Sequence, residues 1–230
     1  MIRRFLFDLF GIDTYELNTW EKEIYNYFLK IALKTEYGYS PNKTIKWTEP
    51  MKVFISQKEK YKTQVSIIQE TIEKINNLVS DGFKIELTEY THNSNTIIYL
   101  GNRERINELR KTFLKDFNVN FAGLADIEVD FVNFNIVKAR IFIDTDEILE
   151  DQRAIILEEI TQSIGLMNDS EIYTDSTFFQ NKILPDKKYH NHFDIDKELI
   201  KLLYSPYMKP GLDSKKVEKV FRRYYKANKK

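Results

Sequence analysis

The residues with the most chemistry to offer lie in one stretch, Ile155 to Asp169, which reads I-I-L-E-E-I-T-Q-S-I-G-L-M-N-D. On a helix, Glu158 and Gln162 are one turn apart and point at a common spot, while Ile156, Leu157, Ile160 and Ile164 share an apolar face. Gly165 is placed to end that helix in a left-handed conformation, with Leu166 supplying the accompanying apolar contact, so the chain can return Asn168 and Asp169 to the same spot. Three kinds of chemistry suit this set. Gln162 and Asn168 amides can donate to Glu158 or Asp169 in a closed hydrogen-bond cluster. Glu158, Gln162, Asn168 and Asp169 can offer oxygen ligands to a hard cation, although no spaced calcium loop is present. Carboxyl pairs can do acid/base work, and here Glu159 with Asp169 or Asp175 is a better pair than Glu158 with Glu159, because adjacent helix positions diverge by about 100°. The bland alternative is that Glu158, Glu159 and Gln162 form the solvated face of an amphipathic helix.

The stretch resembles the active-site helix of metzincin-type zinc proteases, H-E-x-x-H-x-x-G-x-x-H. Position by position, Glu158, Gln162 and Asn168 stand where the three histidines would be, Glu159 where the general base would be, and Gly165 at the turn glycine. Downstream, T-D-S-T-F-F resembles the methionine-turn segment of matrixins, with Asp175 and Ser176 retained and Phe178 in place of the Met. A-R-I-F-I-D resembles their edge strand and D-I-D-K-E-L-I-K-L-L-Y their last helix. The pattern from K-W-T-E-P-M-K-V to L-L-Y-S-P-Y-M-K-P-G is more similar still to an uncharacterised bacterial family grouped with the zincin peptidases, whose members show E-E-x-x-Q-x-x-G-L-x-N-D. The resemblance implies a zincin-like fold without zinc: imidazole and thiolate are the ligands zinc prefers, and a Glu, Gln, Asn set is a poor substitute. Without a metal no bound water is acidified, so Glu159 keeps the position of a general base with little to act on. The function implied is non-catalytic binding or scaffolding through the former active-site cleft, with an unidentified protein or peptide as partner. A metal-dependent peptidase or hydrolase with Glu159 as general base is the alternative.

Other clusters read as structure. His190 and His192 with Asp194 could share a metal, but K-K-Y and F-D-I-D flank them as a polar loop entering a helix, and His92 sits in a solvated turn. The run from Lys215 to Lys230 is basic with interleaved aromatics, which would suit nucleic acid or a membrane surface. Its spacing also suits a last helix that packs Val217, Val220, Phe221 and Tyr224 and leaves its lysines in water, and that reading is preferred. No phosphate-binding glycine loop or nucleophile elbow is present.

The elements that must position the central stretch follow from hydrophobic period. A first helix carries Ile24, Tyr27, Phe28, Ile31 and Ala32, with Thr19 as its N-cap and Gly38 as its end. A strand begins at Met51 behind Pro50, a long helix runs from Tyr61 to Val79 and stops at Asp81-Gly82, and F-K-I-E-L-T-E-Y and T-I-I-Y-L-G are strands around the turn H-N-S-N. Arg103 to Leu114 is a helix. I-E-V-D-F-V-N-F-N and K-A-R-I-F-I-D-T then pair as a hairpin around Asn135 to Lys138, and helices from Asp194 and from about Ser214 close the chain. The expected class is α+β, a mixed twisted sheet with packed helices and a mainly helical C-terminal part. The expected organisation is an N-terminal helical extension over residues 1–44, a zincin-like domain over 45–213, and a basic C-terminal helix over 214–230 packed on it.

Composition sets outer bounds. The 230 residues are 42% hydrophobic, enough for a sizeable core, and Lys+Arg and Asp+Glu both number 35, so no overall charge selects a polyanionic partner. The absence of cysteine excludes disulfides, thiolate nucleophiles and Cys-based zinc sites. The start M-I-R-R-F-L-F-D-L-F-G-I is basic then apolar, but Asp8 interrupts it and no cleavage-like site follows. It reads as part of the fold, with a membrane-surface amphipathic turn as the alternative, and a cytoplasmic location is expected.

Overall fold

A computed structural model describes residues 15–113, 121–180 and 190–229. The N-terminal run through Ile12, Leu114 and Lys230 lie outside the described residues.

The first helix, α1 (Thr19–Ala32), starts one residue earlier than its sequence suggests. Asn18 is the N-cap in place of Thr19: its side chain accepts from Glu21 N while the Glu21 carboxylate accepts from Asn18 N, a reciprocal capping box. The helix ends at Ala32, and Gly38, at φ +79°, lies in the following turn. Ile24, Tyr27, Phe28 and Ile31 are fully buried and belong to the same core as the sheet.

Five strands form one mixed sheet: β1 (Met51–Ile55), β2 (Ile85–Leu87), β3 (Thr96–Gly101), β4 (Gly123–Asp130) and β5 (Asn135–Asp144), in the order β2-β1-β3-β5-β4. All neighbours are parallel except β4, which runs antiparallel to β5 as the terminal strand. The expected hairpin is therefore present, with two corrections. A-R-I-F-I-D lies in β5, one strand in from the edge, and β4 is the edge strand. The turn spans Phe131 to Phe134 and leaves Asn135 to Lys138 in β5, because the Asp130 side chain accepts from Val132 N and Asn133 Nδ2 and so folds the chain at once. β2 is also shorter than F-K-I-E-L-T-E-Y predicts, at three residues.

Alternation along the strands assigns the two faces. Ile98, Leu100, Ala139, Ile141 and Ile143 point into the main core, against α2 (Lys62–Asn76) and α4 (Leu149–Ser163). Phe142 and Tyr99 point the other way, with ring centroids 5.3 Å apart, and α3 (Arg103–Phe113) covers them through Phe113. After α4 the described chain has no further strand of the sheet. It has α5 (Asp194–Leu203) and α6 (Ser214–Asn228), which pack with α1. The class is α+β, as the sequence predicts. Val217 and Phe221 of α6 are buried while Lys215, Lys216, Lys219 and Lys226 stay exposed. Among the described residues no helix is long and apolar enough to cross a membrane.

Two clamps hold the end of α4, the element that carries the candidate site. Gly165 follows the C-cap at φ +111°, and a Cβ there would lie 2.1 Å from the Ile45 carbonyl oxygen. The terminal carbonyls are taken up by side chains: Trp47 Nε1 donates to Ser163 O at 3.0 Å and Tyr204 Oη to Ile164 O at 2.8 Å. Beside Tyr204, the buried Lys46 ammonium donates to Asp81 at 2.6 Å and to the Leu203 and Met208 carbonyls at 2.6 and 3.3 Å.

Candidate functional site

The site is built where α4 passes beneath the edge strand. Glu159 is 7% exposed and lies directly under β4: a Cβ on Gly123 would fall 2.5 Å from its Oε1 and 2.3 Å from the Ile155 side chain. Gly123 is thus the gap in the strand that the Glu159 carboxyl fills. Gln162, one turn on, donates from Nε2 to Asp169 Oδ1 at 3.0 Å, so the glycine turn does bring residue 169 back to the helix. Asp169 also faces the carboxyl of Glu36, whose backbone N–H donates to Met167 O at 3.1 Å.

Glu159 and Asp169 therefore lie within range of one another and of the Glu158 and Glu36 charges, and burial works against ionisation of the two. Burial pushes Glu159 well above the usual carboxylate range, and the nearby charges of Glu158, Asp169 and Glu36 push it further; Arg110 opposes them. Asp169 is pushed up to about 9 by burial, then by Glu158 and Glu36, with the Gln162 amide acting the other way. Glu159 Oε2 and Asp169 Oδ2 are buried without a hydrogen-bond partner among the described residues. Arg110 is itself buried, facing Glu159 and Asp144, with its guanidinium 5.2 Å from the Phe121 ring centroid. Phe121 in turn meets Tyr37 edge-on at 5.5 Å.

Beside this cluster opens a cleft of about 160 Å³, lined by Thr35, Glu36, Tyr37, Leu124 to Ile127, Gln162 and Met167. Its wall is the free side of β4. Asp144 N donates to Ala122 O, so that pair is hydrogen bonded and every second pair after it is too; Gly123, Ala125 and Ile127 then turn their backbone N–H and C=O groups outward. Among the described residues no strand pairs with them.

The other sequence-predicted residues are dispersed. Asn168 points its amide nitrogen at Lys30 O (3.1 Å) and Asp169 O (2.9 Å), joining the turn to α1 instead of donating to a carboxylate. Glu158 is half-buried and accepts from Gln180 Nε2 at 3.3 Å. Asp175 is exposed, which leaves Asp169 as the carboxyl partner of Glu159. Ser176 and Phe178 are buried in the support below: Ser176 Oγ donates to Asp196 at 2.6 Å and meets Tyr27 Oη at 2.8 Å, and Asp196 also accepts from Thr177 N, Thr177 Oγ1 and Phe193 N. His190 lies near Glu150 on the surface, whereas buried His192 pairs with Thr161 Oγ1 at 2.7 Å, its basicity lowered to about 4 by burial and by Lys74 and Lys197; the two histidines serve different elements. The three sequence-predicted ligand positions do not converge on one point: Gln162 turns to Asp169, Asn168 to the Lys30 carbonyl and Glu158 to Gln180. Among the described residues no three His, Asp or Glu side chains form a set that could hold a metal ion.

Sequence reasoning missed Glu36, Arg110, Tyr37 and Gly123. Only Gly123 carried a signal, a glycine interrupting a strand pattern, which marks close approach.

The raised Asp169 pKa gives a pH test. Between the unfolded value near 3.8 and the folded value of about 9, the folded state holds a proton that the unfolded state has released, so stability falls as pH rises through that window. Asp169→Asn removes this liability. The variant is expected to be more stable than the parent by about 2 kcal/mol at pH 8, with the advantage shrinking as pH is lowered toward 4. Urea midpoints at the two pH values measure it, and an advantage that does not change with pH contradicts the assignment.

A family model described as protein of unknown function (DUF2927) matches residues 21–223, and the chain belongs to that family. No curated protein matches the chain.

Proposed function

We propose that this member of the DUF2927 family is a zincin-like domain that works without zinc, binding an extended segment of a partner protein in the cleft beside β4. The observation that carries the reading is the outward row of backbone groups on Gly123, Ala125 and Ile127 beside that cleft, which suits strand addition by a peptide. The zincin likeness is supported by the helix, glycine turn and returning Asp169, together with the buried Ser176 to Phe178 segment beneath them. It is weakened at the three ligand positions.

Binding is favoured over catalysis because Glu159 is enclosed under Gly123, out of reach of a substrate bond. The second reading, an acid/base hydrolase using Glu159 and Asp169, draws on the two buried carboxyls whose proton affinities are raised together. Proteolysis of unfolded protein with and without added zinc, beside Glu159→Ala, decides between them: activity lost on that change would replace the binding reading.

The binding reading is tested with a pool of short synthetic extended peptides and amide exchange read residue by residue. Bound peptide is expected to protect the Gly123, Ala125 and Ile127 amides. Ala125→Pro, which removes an outward N–H without taking a bond from the β5 ladder, is expected to weaken binding about tenfold. A peptide that binds and leaves these amides exchanging freely would place the interface elsewhere.

A further inference from the structure

The tip of the β4–β5 hairpin holds apolar side chains in water. Phe131 is 51% exposed and Val132 85%, and Tyr39, 74% exposed, meets Phe131 edge-on at 5.9 Å between ring centroids. Single exposed apolar residues are ordinary, but three joined at the end of one turn form a patch. The turn is also firmly anchored. The Asp130 side chain accepts from Val132 N and Asn133 Nδ2, and its carbonyl from Phe134 N. Phe134 stands at φ +58°, where a bulky residue is strained, and its ring is seated on Gly211, whose added Cβ would come within 2.9 Å of it. Phe134 thus ties the turn down while Phe131 and Val132 are held out.

The same anchor brings basic residues to the tip. Gly211 lies in the segment from Lys209 to Lys216, and Thr44 ties that segment to the loop carrying Tyr39: Thr44 Oγ1 donates to Lys209 O and Gly211 N to Thr44 O, both at 2.8 Å. Lys209, Lys215 and Lys216 are exposed. The neighbouring acids are turned to the chain's own donors. Asp130 holds the turn, and Asp213 accepts from Lys216 N and pairs with Lys43 at 3.4 Å, so the three lysines carry the outward charge.

We propose that this tip is a membrane-docking element: Phe131, Val132 and Tyr39 enter the interface of an anionic bilayer while Lys209, Lys215 and Lys216 meet its headgroups. Aromatic rings suit the boundary between headgroups and acyl chains, and each lysine near an anionic surface adds attraction. Single-stranded nucleic acid fits less well. Base stacking needs an open ring face, whereas Tyr39 and Phe131 are set at 68° to one another and Val132, the most exposed of the three, has no ring. The docking is peripheral, since no helix among the described residues could cross the membrane. It is independent of the cleft reading, because none of the three apolar residues lines the cleft.

The full chain is sedimented with vesicles of phosphatidylcholine alone, or of phosphatidylcholine and phosphatidylserine at about 3:1. Binding is expected to the anionic vesicles, weakening as salt is raised. Phe131→Ser with Val132→Ser is expected to lower partitioning about tenfold, and Lys209→Gln with Lys216→Gln about as much. All four positions are exposed, and unchanged melting curves show that the variants fold. Val132→Trp emission is expected to be quenched by brominated acyl chains beyond any quenching of the parent. Failure to sediment with anionic vesicles would overturn the proposal, as would binding that the serine pair leaves undiminished. A parent dimer that the serine pair makes monomeric would assign the patch to a second copy of the chain instead. Tighter binding of a single-stranded oligonucleotide through the same residues would assign it to nucleic acid.

Discussion

Replacing Gly165 by alanine is expected to cost about 4 kcal/mol, enough to leave a large part of the protein unfolded at 37 °C if its total stability is of the usual size. Two effects add. At φ +111° an L side chain is strained wherever it stands, and a Cβ here would lie 2.1 Å from the Ile45 oxygen and 3.1 Å from its carbonyl carbon, both backbone atoms. A side chain in the way can rotate; a carbonyl fixed between Thr44 and Lys46 cannot, because Thr44 is bonded to Leu212 and Lys46 to Asp81. Gly82 is the control, at φ +96° with nothing within 4 Å of the added atom, so Gly82→Ala isolates the conformational part at about 1–2 kcal/mol. Denaturant midpoints of the two variants give the comparison. Equal losses would mean that the approach of Ile45 to the helix end contributes nothing.

Lys46→Ala is expected to be nearly as damaging, with a loss of about 3–5 kcal/mol. The ammonium is 2% exposed and holds three oxygens, those of Asp81, Leu203 and Met208, while lying 4.4 Å from the Tyr204 ring centroid. Burial pulls its pKa below the usual lysine value, and Asp81 works against that. Removing the cation strands a mostly buried carboxylate and two carbonyls in a region that joins the β1 approach, the end of α5 and the loop after α2. The charge left on Asp81 is the larger part of the damage. The double variant Lys46→Met with Asp81→Asn, which keeps the volume and removes both charges, is therefore expected to recover about half of the loss. If it recovers none, the two carbonyl contacts and the ring contact are what matter, and the ion pair is incidental.

What the sequence discloses here is local. Period alone identifies α1, α2 and α4, the strands around them and the α+β class, because each buries one face and its residues repeat accordingly. Gly165 is legible because a helix that stops before a returning chain needs a residue free to adopt positive φ. The site is only half legible. Gln162 and Asp169 are seven residues apart and meet as expected, but Asn168 is turned aside by the Lys30 carbonyl of α1, a neighbour that no local pattern announces. Glu36 and Arg110 reach the cluster from sequence distances of more than forty residues, through a loop and a helix whose own patterns concern other contacts. The hairpin is legible and its turn is not, because Phe131, Val132 and Phe134 are apolar like the strand before them while the Asp130 side chain folds the chain there.

The free side of β4 has a further consequence, for how copies of this chain behave toward one another. An unpaired strand edge invites the same edge of a second molecule, the usual first step toward aggregation. On one face of β4 the side chains are Asp126 and Glu128, their neutralising partners Arg140 and Lys138 both set back on β5. Two β4 edges meeting antiparallel would bring two acidic rows together with the basic rows behind them, and like charges placed opposite one another oppose pairing. The irregular register between Glu128 and Val129 shortens the regular stretch still more. The acidic row on β4 thus works against pairing of the strand with its own twin.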